Sequence, residues 1–456
     1  MPLRRILIAN RGEIALRIVR AARALGIESV LAASAVDRES MAADEADRTL
    51  VIGAAPARAS YLNANVLVHA AECAGCDSLH PGYGFLSERA SLAELCEQEG
   101  IIFVGPTAQS IRAVGDKLAA RSLAQAAGVA MARGSAKLPS AQAAVAFADS
   151  IGYPVVTKAS AGGGGRGMIV ARDAAALASA FERASIEAAE AFGDGALFVE
   201  RFVERARHVE VQVVGDGRGR VLHFGERDCS LQRRYQKMVE EAPAPALPSQ
   251  TRTRLHQAAV DLLTTIHYRN AGTVEFLYDV ERDDFYFMEV NARIQVEHPV
   301  SEMVTGVDLI ELQLKIAGGE GLPMAQSDIR THGHSIEARI IAEDPDHGFA
   351  PSPGRVTAWS APHGPGIRLD TAVAAGTVIQ PFYDSMIAKL IVHADTRPKA
   401  VALLRDALEQ FEIDGVATNI SFLRAVAKHP SFVTGDVDTR WLETQFLPSY
   451  GERKES

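Results

Sequence analysis

The segment Tyr153-Pro154-Val155-Val156-Thr157-Lys158-Ala159-Ser160-Ala161-Gly162-Gly163-Gly164-Gly165-Arg166-Gly167-Met168 joins a β-branched run to four consecutive glycines. Valine and threonine at 155–157 predict a strand. Glycine weakens strand interiors, so four in a row serve something other than sheet stability. Lacking side chains, Gly162, Gly163, Gly164 and Gly165 leave their backbone N–H groups bare to approach phosphate oxygens. The lysine precedes the glycines and no Gly-Lys-Ser/Thr follows, so this is not a Walker A loop. Lys158 is expected to reach an α- or β-phosphate while the glycine hairpin closes over a nucleotide. A surface hairpin without a ligand is the alternative.

Upstream, Arg5-Ile6-Leu7-Ile8-Ala9 has the apolar run of a buried strand. Ile14, Ile18, Ala21, Ala22 and Leu25 then recur at helical spacing, with Gly26 as the stop, and Val30-Leu31-Ala32-Ala33 predicts a second strand. A βαβ opening of this kind predicts a doubly wound layer. Its first turn, Asn10-Arg11-Gly12-Glu13, is not GxGxxG, so the layer is Rossmann-like without a dinucleotide. His80-Pro81-Gly82-Tyr83-Gly84-Phe85-Leu86-Ser87-Glu88 predicts a tight loop leading into a helix. Such a loop either carries function at Tyr83 or is a turn anchored in the core by Phe85 and Leu86. Domain changes are expected near Gly105-Pro106 and near Thr331, after Gly318-Gly319, and the remainder reads as a mixed α+β module.

Downstream, Thr273-Val274-Glu275-Phe276-Leu277 and Phe285 through Arg293 predict two strands paired through a turn at Arg282-Asp283-Asp284. Acids inside such apolar runs are expensive to bury unless they bind a cation. Glu275, Glu289 and Asn291 offer the hard oxygen ligands that Mg²⁺ on nucleotide phosphates requires, and Mn²⁺ accepts the same set. A buried salt bridge to Arg293 or Arg339 is the rival reading. In Arg293-Ile294-Gln295-Val296-Glu297-His298-Pro299 the residues Arg293, Gln295 and Glu297 alternate. An extended chain would line them on one face, a guanidinium fork, an amide and a carboxylate able to hold and deprotonate a small planar oxyanion. A solvated strand face would look similar.

The bulk composition narrows the classes. At ~100–200 residues per domain, 456 residues hold two to four domains. A formal charge of -10 argues against nucleic acid, which is gripped by clustered Lys and Arg. No run of about 18 apolar residues occurs, so no transmembrane span is expected. Met1 to Arg11 reads as a strand, not a signal peptide. Four cysteines make no disulfide framework, and Cys73-x-x-Cys76 lacks a second pair, so buried or helix-face thiols and a cytoplasmic location are expected. Only nine lysines stand among 47 basic residues, which singles each one out, because lysine is the compact point charge favoured at phosphates.

Together these blocks resemble the biotin carboxylase family of the ATP-grasp superfamily, over nearly the whole chain. Ile8 through Ala15, Glu226-Arg227-Asp228-Cys229-Ser230, Glu240-Glu241-Ala242-Pro243 and Ala342-Glu343-Asp344-Pro345 resemble further family blocks in the same order. The resemblance implies an α/β and α+β chain in three parts. These are a Rossmann-like N-terminal domain over 1–113, an ATP-grasp domain over 114–330 with a mobile lid at about 131–203, and a C-terminal biotin carboxylase domain over 331–447. It implies that Lys117, Lys158 and His208 contact ATP phosphates or ribose, with Gly163, Gly164, Gly165 and Met168 in the lid. Glu200, Val203, Gln232 and Leu277 would border adenine and ribose. Glu275, Glu289 and Asn291 would hold Mg²⁺ or Mn²⁺. Lys237, Arg293, Gln295, Glu297 and the Val296 backbone would bind bicarbonate, and Tyr83 and Arg339 would face the biotin ring. Glu297, Arg339, Arg293 and Lys237 are the implied catalytic group.

The implied activity is ATP- and bicarbonate-dependent carboxylation of biotin N1 through carboxyphosphate, the first half-reaction of an acetyl-CoA or other acyl-CoA carboxylase. No Met-Lys-Met biotin-attachment signature occurs, so biotin is expected on a separate biotin carboxyl carrier protein, with a separate carboxyltransferase as the next station. The family also implies a homodimer, which the missing aromatic around Pro365 puts in question. Tyr235 stands where many relatives carry His, Arg201 replaces a common Lys, Ala161 the first of five glycines, and Thr157 an aliphatic residue. Two other classes share parts of the pattern. An ATP-grasp ligase joining a carboxylate to an amine needs no Arg-x-Gln-x-Glu strip or Gly-Tyr-Gly loop. A non-catalytic nucleotide-binding scaffold would tolerate loss of catalytic groups, and all are present.

Overall fold

The structure is a computed structural model and describes residues 2–159, 168–192, 195–245 and 247–455. Strands Arg5–Ile8 (β1), Glu28–Ser34 (β2), Arg48–Gly53 (β3), Ser78–His80 (β4) and Ile102–Phe103 (β5) form a parallel sheet in the order β3-β2-β1-β4-β5. Helices cover both faces of a parallel sheet, so its strands read as unbroken apolar runs, and Ile6, Leu7 and Ile8 are fully buried. The helix Gly12–Ala24 follows β1, and Gly26 beyond its end takes φ +69°. Because β1 and β4 are neighbours, the loops at their C-terminal ends meet. Asn10 Nδ2 donates to the carbonyls of Pro81 (2.7 Å) and Tyr83 (2.8 Å) and so holds the Gly-Tyr-Gly loop.

A small antiparallel sheet follows, with Val155–Ala159 (β6) between Ile169–Ala171 (β7) and Leu197–Arg201 (β8). Helices Ala141–Ile151 and Ala174–Phe192 pack on it around Val155, Leu177, Phe181 and Val199. Gly163, Gly164 and Gly165, with Ala161 and Arg166, lie outside the described residues.

The largest element is an antiparallel sheet of Ala206–Asp216 (β9), Val221–Arg233 (β10), Gln236–Ala242 (β11), Arg269–Asp279 (β12), Asp284–Asn291 (β13), His334–Ile341 (β14), Ile367–Thr371 (β15) and Met386–Ala394 (β16). Its order is β13-β12-β9-β10-β11-β14-β16-β15, so it runs without a break past residue 330. On β9 the residues Val209, Val211 and Val213 enter the core against the helix Ser249–Thr264, while His208, Glu210 and Gln212 face the other way. That second face carries charge across the sheet. Glu289, Glu275, Glu210 and Arg227 are successive cross-strand partners on β13, β12, β9 and β10. Glu240 pairs with Glu337 between β11 and β14, and Arg339, Lys389 and Asp370 are successive partners on β14, β16 and β15.

The predicted strand through Arg293 stops earlier. β13 ends at Asn291, and the chain turns through 293–297 into the helix His298–Thr305. Pro299 suits the first turn of that helix, whose earliest N–H groups need no partner. Arg293, Gln295 and Glu297 therefore fan out from a turn. A second core, around Trp441, Phe422 and Phe446, closes the mixed C-terminal part. Cys73 is exposed on the helix Ala64–Ala74, Cys76, Cys96 and Cys229 are buried, and all four are free thiols. Among the described residues, no helix is long and apolar enough to cross a membrane.

Candidate active site

Lys237, at the start of β11, is the hub of the polar face. Its ammonium donates to Glu210 (2.6 Å), Glu275 (3.0 Å) and Glu297 (2.6 Å). Glu210 also accepts from Arg227 Nε (2.6 Å), and Arg227, fully buried, donates further to Gln212, Ser301, Thr273 and Gln295. Burial alone would push the Glu210 carboxyl up, but Lys237 and Arg227 outweigh it and bring it to about 2. Glu297 follows the same balance. Burial raises it, Lys237 and then Arg339 outweigh both burial and the neighbouring Glu210, and it stays below the usual carboxylate range. It is an ionised, buried carboxylate gripped from two sides, by Lys237 on one oxygen and Arg339 Nη2 (3.0 Å) on the other.

Gln295 accepts from Arg227 (2.6 Å) and donates to Glu275 (2.9 Å), and Asn291 Nδ2 donates to the same Glu275 oxygen (2.9 Å). Arg293 turns to Glu88 (2.9 Å) and to Asn291 Oδ1 (3.0 Å). The Val296 carbonyl accepts from Lys389 Nζ (3.0 Å), a lysine fully buried on β16. Lys389 also pairs with Glu13 (3.1 Å), which accepts from the Tyr83 hydroxyl. The loop bearing Tyr83 and the turn bearing Val296 are thus tied to one ammonium. Arg339 Nε donates to Glu240 (2.6 Å), which fixes the plane of its guanidinium.

The residues expected to hold a divalent cation lie side by side on two paired strands. Glu275 and Glu289 are direct partners on β12 and β13, and Thr273 pairs with Asn291 two residues on, so all three expected ligands share one face. Carboxylates directly opposite each other destabilise a sheet unless a cation lies between them. The Glu289 side chain is exposed at the sheet edge, yet partial desolvation and then the Glu275 charge push its carboxyl above its ordinary value, with His208 and then Lys117 countering. Oxygen donors with a residual charge conflict suit Mg²⁺ or Mn²⁺. His208, Glu210 and Glu275 also converge, with His208 Nε2 2.9 Å from Glu275. There Glu210 is already neutralised by Arg227 and Lys237, so the cluster is an ion-pair network.

The residues expected at the nucleotide fall in two places. On the small sheet Lys158 Nζ donates to Glu200 (2.6 Å), whose other oxygen accepts from Arg121 (2.7 Å). No described hydrogen bond joins this trio to the Lys237 network. Lys117 opens the helix Lys117–Ala126 and is exposed, Val203 is buried, and Met168 is partly buried ahead of β7. Gln232 is the cross-strand partner of Lys237, and Leu277 that of His208, so both lie beside the carboxylates. Tyr235 is exposed at the hairpin tip between β10 and β11, with φ +65°.

Sequence reasoning did not single out Glu210, Arg227, Glu240, Glu337, Lys389 or Glu13 as site residues. Glu210 had a signal, the polar alternation His208-Glu210-Gln212 within a valine-rich strand. Lys389 had another, as one of nine lysines set inside an apolar run. Three family models match successive stretches of the chain. Residues 2–111 match the biotin carboxylase N-terminal domain, residues 116–325 the ATP-binding domain of the carbamoyl-phosphate synthase L chain, and residues 337–444 the biotin carboxylase C-terminal domain. The chain is similar to biotin carboxylase 1 of Bacillus subtilis, with 47% identity over 97% of this chain and 98% of that one. It is likewise similar to the biotin carboxylase of Nostoc sp., with 48% identity over 96% and 98%. Among solved structures, the biotin carboxylase–β-γ-ATP complex from Campylobacter jejuni matches with a TM-score of 0.90 at 45% identity, over 97% of this chain and 98% of that one. The Hydrogenobacter thermophilus 2-oxoglutarate carboxylase biotin carboxylase domain dimer, with MgADP, ADP and bicarbonate, matches with a TM-score of 0.90 at 46% identity, over 97% and 98%.

Proposed function

This chain belongs to the biotin carboxylase family, and from that premise we propose how its residues divide the work of the reaction. The activity is ATP- and bicarbonate-dependent carboxylation of biotin, ADP-forming, as the first half-reaction of an acyl-CoA carboxylase. The observation that carries the assignment of roles is the grip of Lys237 and Arg339 on opposite oxygens of Glu297.

Glu297 is the general base. It takes the proton of bicarbonate while Lys237, Arg293, Gln295 and the Val296 backbone hold the anion. The freed oxygen attacks the γ-phosphorus in line, giving carboxyphosphate and ADP. Lys117, Lys158 and His208 hold the phosphates and ribose, and Glu200, Val203, Gln232 and Leu277 border the base. Gly163, Gly164, Gly165 and Met168 belong to the lid. Glu275, Glu289 and Asn291 would hold Mg²⁺, which would neutralise charge on the triphosphate. Lys158 leaves Glu200 for a phosphate when nucleotide arrives, so the ion pair on the small sheet keeps a phosphate ligand in place. Carboxyphosphate breaks down to CO₂ and phosphate in a site closed to water. The phosphate takes the biotin N1 proton, Arg339 stabilises the resulting enolate, Tyr83 bounds the ring, and N1 captures CO₂.

We assign residues 1–113, 114–330 and 331–447 to the three domains, with the lid at about 131–203. Biotin arrives on a carrier protein, a carboxyltransferase accepts the carboxyl group, and the enzyme works in the cytoplasm as a homodimer. An ATP-grasp ligase acting on other carboxylates would not respond to biotin. The test is ADP release by the purified chain with bicarbonate, with and without free biotin. Stimulation that requires bicarbonate is expected. ATP hydrolysis indifferent to both would overturn the reading.

A further inference from the structure

Glu240 and Glu337 are direct cross-strand partners on β11 and β14, on the same face as Arg339, and both are fully buried. Residues so opposed have Cβ atoms about 5 Å apart. Glu240 Oε1 accepts from Arg339 Nε at 2.6 Å. Glu240 Oε2 and both oxygens of Glu337 have no hydrogen-bond partner among the described residues. Two ionised carboxyls that close in a dry site cannot both persist.

The surrounding charges do not resolve the conflict. Glu337 faces Arg339 on its own strand, Lys389 from β16, Glu240 from β11, Glu297 from the turn after β13 and Tyr83 from the Gly-Tyr-Gly loop. Arg339 is already shared between Glu240 and Glu297, and Lys389 between Glu13, Asp370 and the Val296 carbonyl. Neither cation makes a hydrogen bond to Glu337. A proton is the partner that remains.

We propose that Glu337 is carried as a neutral carboxylic acid sharing its proton with Glu240, and that this acid pair positions Arg339 for the biotin step. Burial is the largest influence on Glu337 and holds it well above the ordinary carboxylate value, Lys389 countering and Glu240 adding. Burial likewise carries Glu240 to about 7 in spite of Arg339 and of Lys237 on its own strand, with Glu297 adding to the rise. Such a pair titrates as one unit. While the proton is present, one negative charge, on Glu240, faces the guanidinium and sets its plane, and the other end of Arg339 stays on Glu297. Loss of the proton puts a second negative charge beside Arg339 and draws it off the biotin side. Glu240 and Glu337 are thus positioning residues that act through Arg339, and this rests on the reading of Arg339 as the biotin-facing arginine.

Two measurements test the pair. The first is infrared spectroscopy of the wild-type enzyme at neutral pH, with labelled glutamate. It is expected to show a carboxylic C=O band sensitive to deuterium exchange that disappears in Glu337→Gln. Absence of a wild-type band that Glu337→Gln removes would overturn the proposal without reference to any activity. The second is the pH profile of carboxybiotin formed per ADP. In the wild type this ratio falls as pH rises through the titration of the pair, whereas Glu337→Gln, which has no proton to lose, lacks that alkaline limb. Glu240→Gln lowers the ratio about tenfold at every pH, a difference of about 1.4 kcal/mol. An alkaline limb that persists unchanged in Glu337→Gln overturns the proposal. A wild type without bicarbonate-dependent ATP hydrolysis would instead sink the reaction assigned above and leave the infrared result standing.

Discussion

Lys237 Nζ lies 2.6 Å from Glu297 Oε1 and equally close to Glu210. The proposed base is therefore already paired with a cation before any substrate is bound. An anion entering beside Glu297 meets a lysine whose charge is spread over three carboxylates, and it must displace part of that pairing to bind. This favours an anion that can surrender a proton to Glu297 as it binds, the role proposed above for bicarbonate.

Glu297→Gln removes the proton acceptor and keeps the shape. Bicarbonate-dependent ADP release is expected to fall by about 10²–10⁴, the usual contribution of a positioned base. A coupled ADP assay checks this, and a variant within a few-fold of the parent would exclude Glu297 as the base.

Arg339→Lys keeps a positive charge but cannot span Glu240 and Glu297, because the guanidinium fork is lost. ATP cleavage is expected to continue while carboxybiotin per ADP drops about tenfold, or about 1.4 kcal/mol. Labelled bicarbonate fixed to biotin, measured against ADP formed, separates the two. Equal losses in both would count against a biotin-facing role.

Arg227→Met leaves Glu210 with one cation in place of two and deprives Gln212, Thr273 and Gln295 of a donor. Breaking a buried pair from one side costs about 3–5 kcal/mol, so a clear drop in the thermal midpoint is expected. An unchanged midpoint would mean that the network is not structural.

Glu289→Gln removes both a proposed metal oxygen and a like-charge clash with Glu275. Opposed like charges are worth roughly 0.2–1 kcal/mol, so without divalent ions the variant should be no less stable than the parent. With ATP, the Mg²⁺ needed for half-maximal activity should rise more than about tenfold, because one of the few charged oxygens on the ion is gone. A titration of rate against Mg²⁺ decides it.

His80 is fully buried at the end of β4, and its Nδ1 accepts from the Gly82 N–H at 3.0 Å, which braces the Gly-Tyr-Gly loop. Burial lowers its pKa from 6.5 to about 3. Between those values the unfolded chain binds a proton that the folded chain refuses, so stability rises with pH and is lost on acidification. Urea midpoints are therefore expected to fall from pH 7 to pH 4, and the fall should be smaller in His80→Asn. An equal fall in both would place the acid sensitivity elsewhere.

Much of the site could be read locally. Glu275 and Glu289 stand out because acids are conspicuous inside apolar strands, Asn291 because it lies two residues beyond Glu289 on the same face, and Lys158 because it precedes glycines. What escaped was set by register. Glu240 and Glu337 lie far apart in the chain, and nothing near either one reveals that strands β11 and β14 place them face to face. The strand expected to reach Arg293 ends at Asn291, and Pro299 signals the helix His298–Thr305 that keeps Arg293 through Glu297 from being extended. Lys389 could be noticed as a scarce lysine, but its hold on Val296 and Glu13 depends on three chain segments meeting.

The unbroken ladder from β13 to β15 has a practical consequence for anyone dividing this protein. A fragment ending at 330 would expose β11 as a raw sheet edge carrying Glu240 without Arg339, inviting self-association in place of catalysis. The Lys237–Glu297–Arg339 network straddles a seam that strand hydrogen bonds have welded, so neither half carries it alone.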